Sequence, residues 1–192
     1  QRETAQYWFV GAMWDEGDQL PHFLQKGIWQ NGYEYKFSEL VLSMKPGDRI
    51  AIKSTYVRKH NLPFDNKGLP ISGLKIKAIG TITRNHGDGQ TVDVAWEEPL
   101  EPAREWYFYT YRTTVNRARV EDEGLARKLV AFTFEGAAQD YDFFLSHPYW
   151  RDRFSRADTS ATAHDDSENG EELVEGEEQA PVTAVYSLAD IV

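Results

Sequence analysis

Two runs constrain this chain more than any other feature: Asp48-Arg-Ile-Ala-Ile-Lys-Ser-Thr-Tyr56 and Leu74-Lys-Ile-Lys-Ala-Ile-Gly-Thr-Ile-Thr-Arg84 interleave basic side chains with apolar ones. Alternation of this kind marks strands that bury one face and expose the other. Both runs lie in residues 45–84, where nine Lys or Arg stand against Asp48 and Asp65, a local +7 within a chain of net charge −10. A basic island on one face of a sheet is a surface for a polyanion. The candidate phosphate-holding residues are Lys45, Lys53, Arg58, Lys59, Lys75, Lys77 and Arg84.

The overall acidity belongs to a different part of the chain. Residues 156–192 carry Arg156 against ten carboxylates and few large apolar side chains, so they read as an acidic, disordered linker over 156–184. Residues 1–155 are then an almost neutral domain, large enough for one good core. Cysteine is absent, which excludes disulfides and thiolate metal sites, and no apolar stretch approaches the roughly 20 residues of a membrane span. A cytoplasmic location without membrane contact is the expectation.

Along the domain, residues 6–12 (Gln-Tyr-Trp-Phe-Val-Gly-Ala) read as a buried opening strand. Residues 20–26 read as a short helix with Pro21 in its first turn and Gly27 as its stop. Phe37, Leu40, Val41 and Met44 form a helical stripe, with Ser38 as its N-cap and Pro46-Gly47 as its break. The strands 48–56 and 74–84 follow, joined by a loop over 57–73 that is longer than a scaffold needs. The turn signal His86-Gly-Asp-Gly89 closes 74–96 into a hairpin. Residues 105–115 read as a further strand, and residues 120–132 as a helix with Leu125, Leu129 and Phe132 inward and Glu121, Asp122 and Glu123 at its start. An aromatic cluster over 141–154 reads as a C-terminal helix or turn docked on the sheet. This order is not the strand-helix alternation of a parallel α/β fold; it favours an α+β fold with a small curved sheet.

A search for catalytic patterns finds no phosphate loop, metal-spaced histidine pair, nucleophile elbow or cysteine nucleophile. The five histidines are scattered, and Asp15/Glu16 and Glu97/Glu98 sit in turns or at strand ends, where solvation explains them. The reading is a chain without an enzymatic activity of its own and without a cofactor. Trp14 and Trp29 stand out because they fall in glycine-flanked segments after an element has ended. Core packing is the ordinary role of a tryptophan, but an indole held at such an exit, with cations nearby, is also a platform for a single-stranded or extruded base.

The succession Tyr7-Trp-Phe-Val-Gly11, Gly27-Ile-Trp29, Met44-Lys-Pro-Gly-Asp-Arg-Ile-Ala-Ile-Lys-Ser54, Ile76-Lys-Ala-Ile-Gly-Thr-Ile82 and Val92-Asp-Val-Ala-Trp96 resembles the EVE domain of the PUA-like superfold, a relative of the YTH domain. The resemblance covers residues 5–118. It implies a pseudo-barrel of about five to six mixed or antiparallel strands with flanking helices, and an aromatic cage that grips a modified base. Trp29 stands where YTH-type domains place a cage tryptophan; Trp14, Ser54 and Thr55 stand where the first two strands lead towards the pocket. The insertion over 57–73 departs from a minimal domain and leaves the second wall of the cage unassigned.

At the chain's end, Val185-Tyr-Ser-Leu-Ala-Asp-Ile-Val192 resembles the lead-in to the AAA+ motor of McrB-like restriction proteins. An incidental apolar terminus is the alternative. Together the resemblances imply a specificity module of a modification-dependent, antiviral restriction system. It would bind double-stranded DNA, flip a modified base into an aromatic pocket, and act with an NTP-hydrolysing motor, a nuclease subunit and copies of itself. The rivals are an RNA-binding PUA-like module, a protein-interaction domain using aromatics at 106–111, and a small hydrolase.

Overall fold

In the computed structural model, which describes residues 4–122, 124–159 and 173–174, the domain is a mixed α+β fold built on one curled sheet. The strands are β1 (Tyr7–Val10), β2 (Met13–Trp14), β3 (Gly17–Asp18), β4 (Ile28–Gln30), β5 (Arg49–Arg58), β6 (Ile71–Asn85), β7 (Thr91–Trp96), β8 (Arg104–Tyr107) and β9 (Val115–Arg117). The helices are α1 (Leu20–Lys26), α2 (Ser38–Leu42), α3 (Leu125–Glu135), α4 (Tyr141–Ser146) and α5 (Pro148–Thr159). Sheet order is β4-β7-β6-β5-β1-β9; β8 pairs with the first half of β6, and β2 and β3 form a separate hairpin. The β1–β5 pair is parallel, and the other pairs in the sheet are antiparallel.

The two basic runs do form neighbouring strands, β5 and β6, paired from Arg49↔Thr81 to Arg58↔Ile71. Their ladder is not flat. Ile52 opposes Ala78 while Lys53 opposes Ile76, which leaves Lys77 as an extra residue; Ile82 opposes Val94 while Arg84 opposes Asp93, which leaves Thr83 as another. Each bulge bends its strand and raises the local twist, so the sheet curls.

Both faces of the sheet are covered, and β1 shows how four residues serve two cores. Trp8 and Val10 join Phe23, Trp29, Val41 and Met44 in one core, while Phe9 joins Leu129, Phe132, Phe144 and Trp150 in the other. A period of two on a strand buried on both sides produces this division. The first core is closed by α1 and α2, the second by α3, α4 and α5.

Several expectations hold in detail. Pro21 lies in the first turn of α1, and Gly27 ends it in the left-handed conformation at φ 69°. The 74–96 hairpin is the β6–β7 pair, and Leu125, Leu129 and Phe132 are buried on α3. Others need correction. Ser38 does not cap α2 with its side chain; its hydroxyl donates to the Tyr35 carbonyl at 2.8 Å, and Phe37 occupies the cap position at φ 68°. The helix expected from 120 begins with a short 3-10 turn at Val120–Asp122, and α3 follows at Leu125 with no acid in its first turn.

The single strand expected over 105–115 is broken at Phe108, whose φ of 84° ends β8; the ring stacks between Phe64 at 4.9 Å and Phe144 at 5.4 Å. Packing overrides strand propensity there. The same packing buries Trp106, Tyr107, Phe108 and Tyr109 to 4% exposure or less. A partner surface built from those aromatics is therefore excluded. The long loop is also shorter than expected, spanning 59–70, because β5 and β6 extend into it and Leu62, Phe64 and Leu69 pack on the core. Towards the C-terminus, α5 runs past the expected domain boundary to Thr159, and Leu173–Val174 pair antiparallel with β5. The rest of the expected acidic linker and the expected start of a following domain at 185–192 lie outside the described residues.

Asp48 joins these pieces. It is 1% exposed; one carboxylate oxygen accepts from the Gln6 backbone at 3.0 Å, and the other from the Trp8 indole at 3.0 Å and the Lys45 backbone at 2.9 Å. Asp48→Ala is expected to lower the unfolding free energy by about 3 kcal/mol, at about 1–3 kcal/mol for each buried donor left unpaired. Urea unfolding would read this as a lower midpoint at unchanged m-value.

Candidate functional site

Beyond Val10 the chain leaves the sheet at Gly11 and turns through the β2–β3 hairpin, whose tip is Asp15-Glu16. The hairpin is tied back to the strand exit by the Gln19 backbone, which donates to the Ala12 carbonyl at 2.7 Å. Trp14 is half-buried, meets Phe23 edge-on with ring centroids 6.1 Å apart, and lies directly over Gly32. A Cβ at residue 32 would come within 2.8 Å of the indole nitrogen, so glycine is what lets the ring approach this backbone.

The facing segment, residues 31–37, is held from both ends. Buried Asn31 donates from its side chain to the Lys36 carbonyl at 2.8 Å and accepts from the Tyr33 backbone at 3.1 Å. Gln90, in the β6–β7 turn, donates from its side chain to the Tyr33 carbonyl at 3.1 Å and accepts from the Asn31 backbone at 2.8 Å. Tyr33 is thereby fixed as a wall. Between it and the hairpin lies a cavity of about 270 Å³, lined by Met13, Trp14 and Tyr33, by Asp15 and Glu16, and by Gly11, Gly32 and Thr114.

Two chemistries meet in this cavity, aromatic faces and carboxylates, and a threonine closes its back. Thr114 is 7% exposed, and its buried Oγ1 has no hydrogen-bond partner, although its carbonyl accepts from the Gly11 backbone at 2.9 Å. That hydroxyl is closed off from the cavity, whereas the exposed carboxylates face solvent and, when ionised, accept alone. Cations stand near the rim. The Lys36 ammonium lies 5.3 Å from the Tyr33 ring centroid, and Lys77, at the first bulge, reaches 3.9 Å from Asp18 on the hairpin.

Of the residues expected to form a base pocket, Trp14 lines the cavity. Trp29 stands behind it: fully buried on β4, it donates from its indole to the Gly11 carbonyl at 2.8 Å, so core neighbours cover its faces. Ser54 and Thr55 lie on β5 opposite Lys75 and Leu74, away from the lining; Thr55 is 2% exposed and its Oγ1 has no partner. The walls that sequence reasoning missed are Met13, Tyr33 and Thr114. Tyr33 carried the same signal as Trp14, an aromatic beside a glycine after an element's end, whereas nothing local marks Thr114.

The expected single basic face is not what the fold produces. Lys53 is 1% exposed and its ammonium donates to the Thr113 carbonyl at 2.8 Å, so it is a structural cation, unavailable to a phosphate. Arg58 pairs with Glu105 at 2.8 Å and lies 4.7 Å from the Tyr56 ring centroid; Lys75 lies 5.5 Å from the same ring. Burial first, and then the hydrogen bond to Glu105, pushes the Tyr56 phenol far above its ordinary range. Lys59 sits half-buried at the start of the 59–70 loop, its carbonyl accepting from Asn66. Lys45 is exposed in the turn before β5, and Arg84, 68% exposed, lies 3.8 Å from Asp93. Burial of Lys53 and the carboxylate partners of Arg58, Lys77 and Arg84 break up the basic face.

Among the described residues, no group of His, Cys, Asp or Glu could hold a metal ion, and no helix is long and apolar enough to cross a membrane. No family model matches the chain, and no curated protein matches it. A solved structure, the NMR structure of Rpa0253 from Rhodopseudomonas palustris, is similar at 18% identity and TM-score 0.29, covering 70% of this chain and 82% of that one. A likeness of this size carries no functional argument.

Gly32→Ala provides a direct check of the Trp14 wall. The residue has no left-handed φ, so the backbone accepts alanine, while the new Cβ displaces the ring. The expected outcome is a shifted Trp14 indole N–H resonance, with the Trp8 and Trp29 indole resonances unchanged.

Proposed function

We propose that this chain is a DNA-recognition module of the EVE and PUA-like type, which takes an extruded, modified base into the cavity between Trp14 and Tyr33. The observation that carries the reading is the cavity itself, with two aromatic rings and acceptors at Asp15 and Glu16. Extrusion costs a few kcal/mol, and stacking on an aromatic wall returns about 1–3 kcal/mol per base. The carboxylates accept the exocyclic N–H of the base. A methyl group packed against Met13 contributes about 0.8 kcal/mol of selectivity.

Phosphate attraction comes in this reading from Lys36 and Lys77 near the cavity and from the exposed Lys45 and Arg84. These contacts are independent of sequence and weaken with salt. The module has no chemistry of its own. It serves a modification-dependent restriction system, where a following NTP-driven motor and a nuclease act on what it finds; that setting rests on the sequence of residues 185–192.

The test is binding, by fluorescence anisotropy, to duplexes carrying methyladenine, methylcytosine, hydroxymethylcytosine or glucosylated cytosine, each against its unmodified counterpart. Trp14→Ala is expected to remove the preference for a modified duplex while the fold stays intact. Preference that survives in this variant would sink the reading. Trp29→Ala is expected to destabilise the whole domain by about 3–5 kcal/mol, the cost of emptying a buried indole site, and so reports on stability rather than on selectivity. Lys36→Ala and Lys77→Ala should each reduce the salt dependence of log K by about one ion, equally for all sequences.

A further inference from the structure

We propose that Tyr35 is the wedge that enters the duplex in place of the extruded base, an inference that rests on the base-pocket reading of the neighbouring cavity. Tyr35 is 79% exposed and Met13 52%, the two most exposed large apolar side chains among the described residues. Both stand close to the cavity, Met13 in its lining and Tyr35 just outside it. Met13 lines the cavity, and Tyr35 follows the wall residue Tyr33 by two positions, which places their Cα atoms within about 7 Å of each other. Single exposed apolar residues are ordinary, but two beside one aromatic cavity point to a contact surface.

The backbone beneath Tyr35 is unusually well tied for a segment without regular structure. Its carbonyl accepts from both the Ser38 backbone at 3.2 Å and the Ser38 hydroxyl at 2.8 Å. The next carbonyl, of Lys36, accepts from the Asn31 side chain at 2.8 Å, and Phe37 then turns the chain into α2 in the left-handed conformation. That helix is pinned in turn by Asn85, whose side chain donates to the carbonyls of Val41 at 2.8 Å and Met44 at 2.9 Å. The neighbouring Lys36 lies back over the Tyr33 and Phe37 rings, 5.3 Å from each centroid. Tyr35 is therefore a ring projecting from an anchored loop.

Extruding a base leaves two neighbouring bases without a stacking partner between them. Proteins that unstack a duplex fill such gaps with a planar or apolar side chain, and a ring projecting beside the receiving pocket is placed to do so at the step being opened. The phenol offers both faces, and the anchored backbone means that little conformational freedom is lost when it inserts. Tyr33 and Tyr35 then divide the work: the first faces the base that has left the helix, and the second occupies the space it left.

A wedge matters in a duplex and not in a single strand, which has no stack to repair. The experiment compares wild type, Tyr35→Ala, Tyr35→Phe and Trp14→Ala on methyladenine and methylcytosine probes, each as a duplex and as the same strand alone. Tyr35→Ala is expected to weaken duplex binding by about tenfold, the scale of one lost stacking contact, and to leave single-strand binding within about twofold. Tyr35→Phe should retain duplex binding. Equal losses on both forms would make Tyr35 a pocket or general stacking contact, and no loss on the duplex would remove it from the interface; either result overturns the wedge. Trp14→Ala separates this from the pocket reading, because loss of the pocket affects both forms. If Trp14→Ala loses neither form, the pocket reading falls, and if the wild type binds no probe, both inferences fall.

Discussion

The fold depends on one buried carboxylate. Asp48 takes hydrogen bonds from the Gln6 backbone, the Trp8 indole and the Lys45 backbone, and its own carbonyl accepts from the Ile82 backbone at 2.8 Å. Four segments thus meet at one residue: the approach to β1, the core indole on β1, the Pro46-Gly47 turn and β6. The contact sets the parallel register that places Tyr7 beside Arg49 and Val10 beside Ile52. That register determines where β1 ends, and the end of β1 at Gly11 is where the cavity begins. A parallel pair cannot be closed by a tight turn, so residues 11–48 must cross between the strands. The crossing segment carries Met13, Trp14 and Tyr33, three walls of the site.

Much of the framework was legible from periodicity. Tyr7, Trp8, Phe9 and Val10 were identifiable as a buried strand, the β5 and β6 runs as neighbours, and Gly27 as a helix stop. In each case a local signal and the tertiary outcome agree. The failures share a cause in long-range packing. Phe108 reads as one more residue of an aromatic strand, yet the rings of Phe64 and Phe144 on either side draw it into a left-handed turn that no neighbour in sequence announces. Ser38 likewise has the right identity for a cap, but the Tyr35 carbonyl lies closer to hand for its hydroxyl.

The site was only partly legible, for reasons of geometry. Lys53 counts as a surface cation by its charge and by its place in a basic run. The bulge beside it and the nearby Thr113 carbonyl make it a buried one. Trp14 and Trp29 look alike in sequence, both glycine-flanked at the end of an element. They differ because Trp29 pairs in the sheet between α1 and residues 31–37, opposite Val92, while Trp14 sits in a two-residue strand of a detached hairpin. Distance in sequence hid Thr114, which reaches the cavity because β9 pairs with β1.

Gly11 connects the cavity to the interior. Its amide donates to the Thr114 carbonyl at 2.9 Å and its carbonyl accepts from the Trp29 indole at 2.8 Å, so one wall of the cavity is core backbone held on both sides. The opposite walls belong to a hairpin tip and a short loop, anchored to the first core by Trp14 and Phe37 but exposed at Asp15, Glu16 and Tyr35. This separates what evolution can alter cheaply from what it cannot. Exchange of the exposed residues 15, 16 or 35 would alter the rim without refolding the domain, whereas drift at Gly11 or Trp29 would affect stability and the cavity together. A lineage of such domains would diversify at the rim and keep a constant back wall.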